Sequence, residues 1–163
     1  MRLQFLALTL LSIGVSAAAQ TPITFMSEKD ITALVDKAKG DRKNDAPMVA
    51  EPILSLAPYK AQLEYRPATA PAALHEKDAE LMVVLSGTGS IVTGGTLVDG
   101  KRSNSANLSG SSISGGNAQS VKHGDMLIVP ANTPHQVIPG GGAPIVLMTM
   151  HVPFPPSDWP PAN

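Results

Sequence analysis

His75-Glu76-Lys77-Asp78-Ala79-Glu80-Leu81-Met82-Val83-Val84-Leu85-Ser86-Gly87 sets a histidine and a carboxylate at the entrance to a compact apolar run that stops at glycine. Alternation with a period of two places Glu80, Met82 and Val84 on one face of a strand, so the carboxylate shares its face with apolar side chains. A second stretch, Gly124-Asp125-Met126-Leu127-Ile128-Val129-Pro130-Ala131-Asn132-Thr133-Pro134-His135, has the same character: a turn, an apolar strand, a second turn and a histidine. Working outward from these two, strand-like runs fall at residues 59–66, 89–93, 96–98, 121–129, 136–138 and 145–151, with a Gly94-Gly95 turn in the middle. Short strands at this spacing predict one antiparallel all-β sandwich or barrel over residues 54–152.

Composition agrees. The 163 residues include 15 Pro and 14 Gly but only 15% charged side chains, which disfavours a helical bundle, and 43% hydrophobic residues suffice for a core. A net charge of −1 offers no surface for a polyanion, so nucleic acid is not an expected partner. With no cysteine, disulfides and thiolate chemistry are excluded and any metal must be held by nitrogen and oxygen.

The ends of the chain read differently. Arg2, an apolar run at 3–15 and the small residues Ser16-Ala17-Ala18-Ala19 form the pattern of a secretory signal peptide at 1–19, too short to span a bilayer, which predicts an exported, periplasmic or secreted protein with no membrane association after cleavage. Residues 20–53 read as an N-terminal arm. Ser27 and Asp30 can cap a helix carrying Ile31, Leu34 and Val35, with Gly40 as its stop, while Pro47 and Pro52 argue against a long element before residue 54. Residues 99–120, dominated by Ser, Gly and Asn, read as a solvated loop. The tail at 153–163 is proline-rich and extended, with Phe154 and Trp159 available to pin it.

Together the two quoted stretches resemble the paired motifs of the cupin superfamily: His75, Glu80 and Gly87 match the first, and Gly124, Pro130 and His135 the second. The resemblance covers roughly residues 59–151 and implies a cupin-type double-stranded β-helix, a jelly-roll-like barrel, here with a short N-terminal helix. It further implies one divalent metal held by His75, Glu80 and His135, with zinc, manganese, iron, nickel and copper undistinguished, and a small-molecule ligand processed by dioxygenase, isomerase or lyase chemistry. The sequence departs from the pattern at Ala73, where a further histidine ligand is usual, at Pro67 and Asn132, where glycine is usual, and at Pro139, where asparagine is usual. The loss at Ala73 leaves two imidazoles and one carboxylate, and gives weight to the alternative of a barrel that binds a sugar or other small molecule without turning it over. Asn132 is the milder change, because asparagine tolerates a left-handed backbone.

Two further residues are candidates for catalysis. His151, at the end of the last strand, reads either as a cavity-facing fourth ligand or general acid–base, or as a surface histidine before the tail. Arg66, alternating with Gln62 and Glu64, reads either as a bidentate holder of a substrate carboxylate or as part of an outward polar edge. His123 is expected in solvent, and Lys77 and Asp78 read as a solvated charge pair or a gating contact. Apolar strand edges permit a homodimer.

Overall fold

The computed structural model describes residues 21–153; the signal-like segment and the tail with Phe154 and Trp159 lie outside the described residues. One helix, α1 (Glu28–Asp41), precedes thirteen strands: β1 (Val49–Leu56), β2 (Tyr59–Arg66), β3 (Ala72–His75), β4 (Asp78–Ser86), β5 (Thr88–Thr93), β6 (Thr96–Val98), β7 (Lys101–Arg102), β8 (Asn107–Gly110), β9 (Ser112–Ser114), β10 (Asn117–Lys122), β11 (Met126–Val129), β12 (His135–Pro139) and β13 (Ile145–Pro153). Among the described residues no helix is long and apolar enough to cross a membrane.

Two antiparallel sheets face one another, in the orders β1-β2-β13-β4-β11 and β10-β5-β12-β3-β8-β7, and β6 with β9 forms a small third sheet. Period-two alternation divides the apolar side chains between two layers. Met82, Val84, Ile91, Val121, Val129, Val137, Ile145 and Leu147 fill the space between the large sheets. The opposite face of the first sheet, with Ile53, Ala61, Leu63, Tyr65 and Val146, is covered by α1 through Ala38, Ile31, Leu34 and Val35. The helix starts as its sequence requires: Ser27 accepts from the Asp30 backbone while the Asp30 side chain returns to the Ser27 backbone.

Three local readings are corrected. Gly40 does not stop the helix, which runs to Asp41; a side chain at Gly40 would meet nothing, so its only effect there is a modest loss of helix propensity. Pro52 does not prevent a strand: β1 is an edge strand, where a missing N–H costs no ladder bond on its open side, and its register shifts between Pro52 and Leu54. The segment 99–120 is not a loop but carries β7, β8, β9 and most of β10. These strands are held by backbone pairing and small side chains: β8 pairs with β3 from Ala72↔Gly110 to His75↔Asn107.

Candidate metal centre

His75 closes β3, Glu80 lies in β4, and His135 opens β12, on the two facing sheets. Their placement follows from register. His151 of β13 stands directly opposite Glu80, and His135 is opposite Ala73, two residues before His75 on β3. The four side chains meet at one end of the interior. Glu80 Oε2 is 2.8 Å from His135 Nε2 and 3.4 Å from His75 Nε2. The His75 ring packs edge-on against His151 with centroids 4.3 Å apart and lies 5.2 Å from that of His135. His75, Glu80 and His151 each offer a ligand atom within 4.8 Å of the others. Donor atoms around one ion at ordinary N and O bond lengths are roughly 3–4 Å apart, a spacing close to that of His75, Glu80 and His151; His135 meets Glu80 but lies outside that mutually close group, and its ring must shift to share the ion.

The other ring nitrogens are committed. His75 Nδ1 lies 2.9 Å from Asn107 Oδ1, and His135 Nδ1 lies 3.2 Å from the carbonyl oxygen of Thr133. Both oxygens accept, so each Nδ1 carries a proton, and it is Nε2 of each ring that faces Glu80, as a donor when the ring is charged and as a lone pair when it is not. Glu80 Oε2 is buried, and among the described residues no donor outside the histidine rings reaches it. Ring nitrogens this close to a carboxylate need positive charge among them, which ring protons supply without a metal and a divalent cation would supply in their place. The nitrogen and oxygen donors suit zinc, manganese, iron, nickel or copper. The residues therefore fit a metal.

Electrostatics point the same way. Burial works to raise the Glu80 carboxyl, but the imidazoles of His135, His75 and His151 outweigh it and hold its pKa well below the usual range. Burial works to lower His75, yet Glu80, Asn107 and Asp78 overcome it and raise its pKa. Glu80 is thus a full carboxylate, the form a metal needs.

The structure groups His75 and Glu80 with His151, which faces inward and is not a surface histidine, while His135 touches Glu80 but is not part of that group. Arg66 is elsewhere. It faces inward rather than forming an outer edge, but its Nη2 lies 2.7 Å and its Nε 2.8 Å from Oε2 of Glu64, which is 3% exposed. Glu64 also accepts from Gln62 and Thr149. Arg66 pairs with Ile145, six residues along β13 from His151 and so roughly 20 Å from the histidines. Arg66 is a counter-charge for a buried carboxylate and does not reach the metal centre. His123 is exposed, and Asp78 is half-buried near His75. Asn132 has φ 60°, the left-handed conformation its type tolerates, and its N–H donates to the His75 carbonyl at 2.6 Å. Asn107 was hidden in the polar segment; its place in an N-x-S run of low apolar content carries no signal that could have singled it out.

The two facing antiparallel sheets, with this cluster at one end, define a cupin-type double-stranded β-helix. No protein-family model and no curated protein matches the sequence. Solved structures do. A double-stranded β-helix protein from Klebsiella pneumoniae is 16% identical with a TM-score of 0.52, over 73% of this chain and 86% of that one. The TT1209 protein of Thermus thermophilus is 19% identical with a TM-score of 0.54, over 80% of this chain and all of that one. The hydroquinone 1,2-dioxygenase PnpCD, solved with Cd2+ and 4-hydroxybenzonitrile, is 14% identical with a TM-score of 0.54, over 74% of this chain and 72% of that one.

Proposed function

We propose that the chain is an exported cupin-fold protein that binds one divalent metal through His75, Glu80 and His135, with His151 taking the role left open at Ala73, and that it acts on a small organic molecule. The observation that carries this reading is the pair of committed Nδ1 atoms, which turns Nε2 of His75 and of His135 toward a buried carboxylate oxygen that, among the described residues, no donor outside the histidines reaches, with His151 beside them. A bound divalent ion would supply Lewis acidity at whatever coordination position the protein leaves free. The chain's own residues do the rest: Asn107 and the Thr133 carbonyl fix the rings, and Met82, Val84 and Val129 keep water from the inner side of Glu80. A small-molecule dioxygenase solved with Cd2+ on the same fold supports metal-dependent chemistry, with dioxygenase, isomerase and lyase reactions all within reach of one open metal position. The signal-like segment supports metal loading outside the cytoplasm. Exposed Met126 and Ile128 on edge strand β11 support self-pairing into a homodimer.

A second reading has one observation behind it. Met82, Val84, Leu147 and Thr149 are at most 1% exposed, so the interior beside the cluster is solid, as suits an ion that pins strands without turning over a ligand. Elemental analysis of purified protein reconstituted with zinc or manganese tests the shared premise. The expected result is about one ion per chain, lost in His135→Ala and in Glu80→Gln at unchanged circular dichroism; a wild type that retains no ion after reconstitution overturns both readings.

A further inference from the structure

We propose that the cavity beside His151 binds a small organic monocarboxylate, its anionic end held by Lys60 while another of its oxygens reaches the metal. This deepens the metal-binding reading above and rests on it. Because Met82, Val84 and Leu147 fill the interior, the cavity that reaches the histidine cluster lies at the mouth of the sandwich. There a cavity of about 360 Å3 is lined by Pro58, Lys60, Gln62, Asp78, His151 and Pro153, a volume at the lower end of the roughly 300–1,000 Å3 typical of small-molecule sites. His151 belongs to both the cavity and the histidine cluster, so a molecule seated in the cavity lies against a candidate ligand.

Charge selects the ligand. Lys60 forms no ion pair with any described carboxylate, although Asp78 lines the same cavity; the two are held apart on its wall. A divalent ion with Glu80, Lys60 and Asp78 sums to +2 − 1 + 1 − 1 = +1, which one carboxylate neutralises. Lys60 presents three donors to it, and Gln62, one of whose N–H groups donates to Glu64, has an amide oxygen and a second N–H to spare. Asp78 repels a second negative charge and so disfavours dianions. The two proline rings at the rim give the remainder of the molecule an apolar, rigid boundary.

The test uses the protein loaded with cobalt(II), whose visible absorption reports on ligands entering its coordination sphere, titrated with lactate and with the neutral isostere lactamide. Lactate is expected to change the spectrum at a concentration at least about tenfold lower than lactamide. Lys60→Met should remove that preference with cobalt content unchanged, Lys60→Arg should keep it, and Lys101→Met on β7 should behave as wild type. A cobalt spectrum intact in Lys60→Met together with unchanged lactate binding would overturn the carboxylate assignment while leaving the metal reading standing. A wild type without cobalt absorption would overturn both.

Discussion

Replacing Asn107 with alanine removes the acceptor that fixes the His75 ring without touching any proposed ligand. The lost contact is the 2.9 Å Nδ1–H···Oδ1 hydrogen bond between residues paired across β3 and β8. Its direct effect on folding is small, about 1 kcal/mol, because a typical intramolecular hydrogen bond contributes that much net, and His75 is only partly exposed so water restores part of it. The effect on metal should be larger in proportion. Without the acceptor, the Nδ1 and Nε2 tautomers approach parity and the ring can rotate, and second-sphere losses of this kind typically weaken metal binding about 10–100-fold, or roughly 1.4–2.7 kcal/mol. Competition of the protein with a chromogenic chelator for zinc measures this directly, alongside thermal melts of the metal-free forms. Asn107→Asp retains an acceptor at the same reach and should bind zinc at least as tightly as wild type. Zinc affinity in Asn107→Ala within about twofold of wild type would refute the argument, since His75 would then be oriented by something other than this contact.

Two other expectations concern the frame. Arg66→Met leaves the Glu64 carboxylate, 3% exposed, without its counter-charge, and chemical denaturation should show a loss of about 3 kcal/mol with zinc stoichiometry unchanged; lost metal with full stability would instead mean that Arg66 serves the site. Gly87→Ala drives a Cβ into the Pro144 carbonyl oxygen at a φ of +83°, so the melting temperature should fall by several degrees, by far more than for Gly40→Ala, whose Cβ would meet nothing; equal melting temperatures for the two variants would contradict the close approach of the β4–β5 turn to β13.

The frame of the site was legible because its residues are tied to strong signals. Glu80, Met82 and Val84 alternate with residues of the other face, Gly87 closes the first motif and Gly124 and Pro130 bracket the apolar run of the second, so β4, β11 and the positions of His75 and His135 follow from spacing. Where structure and sequence pattern part, the cause is that a strand's sequence signal comes from side-chain burial. In 99–120 the small polar residues bury little, and β8 exists because its backbone completes the ladder beside β3; the residue that orients His75 was therefore invisible. Arg66 illustrates a different limit. Alternation showed that Gln62, Glu64 and Arg66 share a face but not which way it points, and only the pairing Glu64↔Leu147 places that face inside. His151 needed the same information, the pairing with Glu80 across β13, to be separated from a surface histidine.

The last strand among the described residues, β13, is also the middle strand of its sheet, with β2 on one side and β4 on the other. Neither neighbour has its full set of partners until residues 145–153 insert between them, and contacts between segments so distant along the chain close slowly. The sheet thus stays open between β2 and β4 until β13 docks, and the insertion that completes it is the same event that delivers His151 opposite Glu80. Structural maturation and assembly of the cation-binding cluster are in this way timed to one step.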